Sequence, residues 1–134
     1  MTTTKTKQIG YWVVTLLILL PTGGAGIPEL FSHGSAATLQ SLHTLGYPVY
    51  LLRITGLAKI LGAITLLVNR PSRLVEWAYA GFTFLFLGAT ASHLLAGDAP
   101  HAPIPFTFLL LLMVSYALYP QVRRSVEHRE PVPA

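Results

Sequence analysis

Four apolar runs occupy most of this chain, and each has to be kept out of water. Residues 9–27 carry no charged side chain at all. Further apolar runs cover 47–68, 74–96 and 104–119. A helix that crosses a bilayer needs about 20 apolar residues, so three runs are long enough and the last, at roughly 16, is short but uncharged. Charged residues make up only 10% of the 134-residue chain and hydrophobic ones 52%. A soluble domain carries about 25% charge, so this chain could not cover a water-facing surface, whereas lipid removes that need. With no cysteine in the chain, thiol redox chemistry, disulfides and Cys-ligated metal centres are excluded.

In order, residues 1–8 form a polar, basic tail and residues 9–119 a four-span membrane domain. The first span covers about 9–28. Tyr11 and Trp12 stand at its start, where an aromatic belt sits, and Pro21 and three glycines weaken and kink its second half. A basic start, an apolar core and small residues also fit a cleaved signal peptide, but no clean A-x-A site follows. Residues 35–45 read as a short amphipathic helix, with Leu39, Leu42 and Leu45 near one face. It either lies on the membrane surface or covers a pocket between the spans.

The second span takes 47–68, with Pro48 in its first turn. Residues 69–73 (NRPSR) make a basic turn, the third span takes 74–96, and 97–103 (GDAPHAP) is a loop. The fourth span covers 104–119 and is expected to end at Pro120. The charged tail 120–134 is expected to be disordered beyond about residue 128.

The basic residues set the topology. Lys5, Lys7, Arg70, Arg73, Arg123, Arg124 and Arg129 fall in the two tails and the 69–73 turn, and none falls in 29–46 or 97–103. That asymmetry predicts both termini in the cytoplasm, an even number of spans, and the inner membrane as location. It also accounts for the net charge of +4 without a nucleic-acid partner. The expected fold is all-α: an integral membrane up-down four-helix bundle, with the short amphipathic helix between spans 1 and 2.

Small residues recur on two spans. Ala78, Gly81, Gly88 and Ser92 share one side of the third span; Gly56, Lys59 and Ala63 share a sector of the second, with Gly62 beside it. Small residues let membrane helices approach closely, so these faces are expected to pack against each other; Gly and Ala are also simply common in such helices.

Charge inside a bilayer costs several kcal/mol and needs a reason. Lys59 lies roughly 13 Å from the inner edge by helical rise, too deep to snorkel easily. Its candidate partners are Glu76, offset by about 9 Å along the axis, carbonyls freed near Pro21, or Ser115 and Tyr116 on the fourth span. Arg53 could snorkel outward or meet Asp98 with His93 nearby as a polar cluster at the outer mouth. His93 near a helix end also fits a plain interfacial role. The candidate catalytic groups are therefore Lys59, Glu76 and His93, and the candidate ligand-binding groups Arg53, Lys59, Glu76, His93 and Asp98. His33, His43, His93 and His101 match no metal-binding spacing, so no metal is expected. No phosphate loop, nucleophile elbow or basic-aromatic nucleic-acid face is present in the sequence.

Two stretches carry a resemblance: LGYPVYLLRITGLAKILGAITLL (45–67) and RLVEWAYAGFTFLFLGATASHLLAGD (73–98). The LGYP-x-Y start, the G-x-x-K-x-x-G spacing over 56–62, the EWAYAGF run and A-S-H followed by G-D resemble the DoxX-like family of small bacterial membrane proteins. The resemblance covers roughly residues 25–118. It implies a four-helix membrane protein with a distant link to a membrane component of thiosulfate:quinone oxidation. It also implies a lysine near the end of the first span, where this chain has Glu29.

Three functions fit these readings. One is a lipophilic-ligand subunit of a membrane redox system, binding a quinone-like molecule. No redox centre is encoded, so electrons would come from a membrane protein partner or the ligand. The second is a cofactor-independent membrane enzyme using acid–base chemistry on a lipophilic substrate, an isomerase or cyclase. The third is a non-catalytic scaffold, alone or as a homo-oligomer, in contact with the lipid bilayer.

Overall fold

The computed structural model describes residues 2–68 and 72–127. Those residues form α1 (Thr2–Ser32), α2 (Ala36–Leu45), α3 (Leu51–Val68), α4 (Ser72–Leu95), a 3₁₀ turn (Ala99–His101) and α5 (Pro103–Glu127), with no strand among them. The four long helices are each long and apolar enough to cross a membrane. Residues 69–71 of the expected basic turn and the tail beyond 127 lie outside the described residues.

The long helices pack as a ring: α1 against α3, α3 against α4, α4 against α5, and α5 back against α1. Each neighbouring pair is antiparallel. Tyr11 lies beside Tyr119, Thr15 bonds Ser115, Tyr79 bonds the same Ser115, and Phe86 stacks on Phe108. The core holds one stripe from each helix, including Tyr11 and Ile18 of α1, Leu66 of α3, Val75, Tyr79 and Phe82 of α4, and Leu112 of α5. Large apolar side chains on the opposite faces, among them Leu20, Ile54, Trp77, Phe84 and Leu110, stay exposed. A bundle apolar on both sides is the signature of a lipid-embedded protein.

Three differences from the sequence expectations matter for the site. First, α1 does not stop near Pro28: it runs through Pro21 and Pro28 to Ser32. The Pro28 carbonyl is used by the Ser32 hydroxyl and the Gly34 amide, and membrane helices tolerate proline where freed backbone groups find other partners. Second, α5 likewise continues past Pro120 to Glu127. Third, the small-residue face of α3 packs on α1, not on α4. A Cβ on Gly56 would meet the Gly26 carbonyl oxygen at 2.8 Å and the Leu30 nitrogen at 2.9 Å, and Ala63 faces Gly23. Only Gly62 faces α4, against the Phe82 ring, while Gly81 and Gly88 have open space beside them.

The link between α1 and α3 carries α2, capped at both ends. Ser35 accepts from the Thr38 amide at the start of α2, and Gly46, in the left-handed region at φ 76°, closes its end. None of α2 is buried, so it does not cover the bundle as a lid. Tyr47 then ties this connection to α4 through its hydroxyl, 2.6 Å from that of Ser92.

Candidate functional site

The extra turn of α1 beyond Pro28 carries Glu29 into the bundle. There its carboxylate receives Lys59: Nζ lies 2.7 Å from Oε1 and 2.8 Å from Oε2. Glu29 is almost fully buried, with side-chain exposure of 3%, and Lys59 is mostly so at 17%. The contact between Gly26 and Gly56, one turn from each partner, brings the two backbones close enough for this pairing. Two of the three ammonium N–H groups go to Glu29, which leaves one donor.

Glu76 is therefore not the partner of Lys59. It is exposed and accepts from the Tyr116 hydroxyl at 2.9 Å. Ser115 is also committed elsewhere, to Thr15 at 2.7 Å and Tyr79 at 2.8 Å, a buried hydroxyl chain that joins α1, α4 and α5. Sequence reasoning missed Glu29 because a span ending at Pro28 puts it in a loop.

At the far end of α4 the backbone itself assembles a second cluster. Gly97 takes φ 78°, and the Asp98 amide donates back to the His93 carbonyl at 2.8 Å. This helix-ending turn folds Asp98 over His93, so that Oδ2 lies 2.8 Å from His93 Nδ1. Oδ1 lies 2.6 Å from Nδ1 of His101, held by the 3₁₀ turn. The bonds from His101 and then His93 hold the Asp98 carboxyl below the usual carboxylate range. An ionised carboxylate only accepts, so Nδ1 carries the hydrogen on both rings, and His93 keeps Nε2 for another partner. Arg53 does not join this cluster: it is exposed and lies 3.5 Å from His33 Nε2.

Lys59 and His93 line one open pocket of about 270 Å³, with Thr22 of α1, Phe86 of α4, and Pro105 and Phe108 of α5. Its walls are apolar and aromatic, and its two titratable groups are each fixed by a carboxylate outside the lining. An apolar cavity of about 150 Å³ is enough to take a benzene ring, so this one admits a substituted ring. Lys59 offers a cationic donor, and His93 offers a donor or an acceptor according to its charge. The arrangement can bind carbonyl or hydroxyl oxygens on a flat lipophilic head. Of the residues singled out from sequence, the cavity thus unites Lys59 and His93, draws in Asp98 behind His93, and leaves Glu76 and Arg53 outside.

A family model described as the DoxX-like family matches residues 13–115, a range that contains Glu29, Lys59, His93 and Asp98. No curated protein and no solved structure matches the chain.

Proposed function

The chain belongs to the DoxX-like family, and from that premise we propose that its bundle binds a quinone-like lipophilic molecule as a membrane subunit of a redox system. One observation carries this reading: Lys59 and His93 border the same apolar cavity, each held in place by its own carboxylate. The third Lys59 N–H and His93 Nε2 would hydrogen-bond the oxygens of the head, and Phe86 and Phe108 would flank its ring. A quinone supplies two-electron chemistry when bound. The protein's own residues would orient it and hold or move a proton at His93 Nε2. Electrons would come from a partner protein in the membrane.

We place the termini in the cytoplasm and the bundle in the inner membrane, because lysine and arginine concentrate in the tails and the 69–73 turn. Reporter fusions at each end, read on both sides of the membrane, test this.

A scaffold is the competing reading, favoured by the Glu29–Lys59 pair, which satisfies a buried charge inside the protein. An acid–base enzyme would have to work without Glu76, which bonds Tyr116 instead. Purification in mild detergent followed by mass spectrometry of the extracted small molecules separates these readings. A co-purifying quinone, displaced by an added short-tailed analogue, supports the proposal. A blank extract together with no binding of added analogue overturns it in favour of the scaffold.

A further inference from the structure

Lys59 borders a second space. A groove of about 560 Å³ runs down the lipid-facing side between α3 and α4, from Ile54 to Thr65 on one helix and Leu74 to Leu85 on the other. By helical rise it extends about 16 Å, roughly half the hydrocarbon thickness of a bilayer. Ala58, Gly62, Ala78 and Gly81 are among its lining residues, and the space beside Gly81 is open. The packing of α3 on α4 is the least extensive of the four neighbouring pairs. Two threonines in the lining are turned back on their own helix: Thr55 bonds the Leu51 and Leu52 carbonyls, and Thr65 bonds the Leu61 carbonyl. Lys59 is left as the one charged group in an otherwise apolar channel. Lys59 and Leu85 line both the groove and the smaller pocket.

We infer that the groove seats the apolar tail of the ligand whose head occupies the cavity, so the natural ligand is a long-tailed amphiphile that arrives sideways from the bilayer. This rests on the binding reading above and adds the ligand class to it. The tail lies in the groove in contact with α3 and α4, over the open space beside Gly81. The head passes between Lys59 and Leu85. A tailless ring would use the cavity alone and gain nothing from the groove.

The test compares a tailless benzoquinone with its decyl-tailed counterpart on the full chain in one detergent. It is repeated with Gly81→Phe, which fills the groove, and Gly88→Phe, a bulky change where space is equally open but outside the groove lining. The wild type and Gly88→Phe are expected to bind the tailed compound at least tenfold more tightly than the tailless one. Gly81→Phe is expected to reduce that ratio to about one and leave tailless binding unchanged. An equal ratio in all three proteins overturns the groove assignment and leaves the cavity reading standing. If neither compound binds the wild type, the cavity reading falls and the groove assignment falls with it.

Discussion

The Lys59 ammonium touches both oxygens of the Glu29 carboxylate, at 2.7 and 2.8 Å, across the α1–α3 interface. The pair places the Lys59 ammonium at the junction of an open pocket and a lipid-facing groove. Without Glu29, the ammonium would face apolar walls with no carboxylate to pair with it.

Removing one partner should therefore cost far more than removing both. Glu29→Met or Lys59→Met alone strands a buried charge, at a cost on the order of 3–5 kcal/mol. The double variant should recover most of that loss, because similar-sized apolar residues replace the pair. Unfolding in detergent across the four proteins measures the coupling. Additive losses would show that the pair contributes nothing as a pair.

The two helix interfaces differ in tolerance. Gly56→Ala would drive a methyl group into the backbone of Gly26 and Leu30, which cannot swing aside, and should cost about 1–3 kcal/mol or more. Gly88→Ala meets nothing within 4 Å and should change stability by less than about 0.5 kcal/mol. Thermal unfolding of the two variants side by side checks the contrast.

These residues also show where sequence reasoning stops. Span number, helical class and the need of Lys59 for a partner were all legible, because long uncharged runs and a mid-membrane charge have few physical solutions. The grouping of Gly56, Lys59 and Ala63 on one face was legible as well, since it follows from helical periodicity. Which neighbour covers that face was not: periodicity names the residues on a side, and only the packing of the ring assigns α1 to it. Glu29 was hidden by Pro28, which reads as the end of a span but stands inside α1. Asp98 was visible as a neighbour of His93, yet its two-histidine grip depends on the backbone turn at Gly97.

That grip predicts a pH signature. The folded-state carboxyl of Asp98 titrates lower than an unfolded one, so its contribution is complete above the ordinary carboxylate value of about 4. It is lost as pH falls from there through the lowered value. The unfolding midpoint of the wild type should drop over that window, and Asp98→Asn should remove part of the drop. Parallel curves for the two proteins would mean that the bonds from His93 and His101 do not stabilise the fold.

The buried hydroxyls should respond unequally. Ser115→Ala leaves Thr15 and Tyr79 without their shared partner and should cost about 1–2 kcal/mol. Among the described residues the buried Tyr11 hydroxyl meets no partner at good hydrogen-bond geometry, with Tyr79 and Thr15 only near it, so Tyr11→Phe should cost less than Ser115→Ala. Denaturation midpoints measured together test the order; a Tyr11→Phe loss as large as that of Ser115→Ala would contradict it.

The most direct test is the affinity of the Glu29→Met, Lys59→Met double variant for a decyl-tailed quinone. Binding can be read by quenching of Trp77, which lines the groove, in a Trp12→Phe background. The expected result is a folded bundle that unfolds near the wild-type midpoint and binds at least tenfold more weakly, because the cationic donor between pocket and groove is gone. A folded double variant that binds as tightly as the wild type would contradict it.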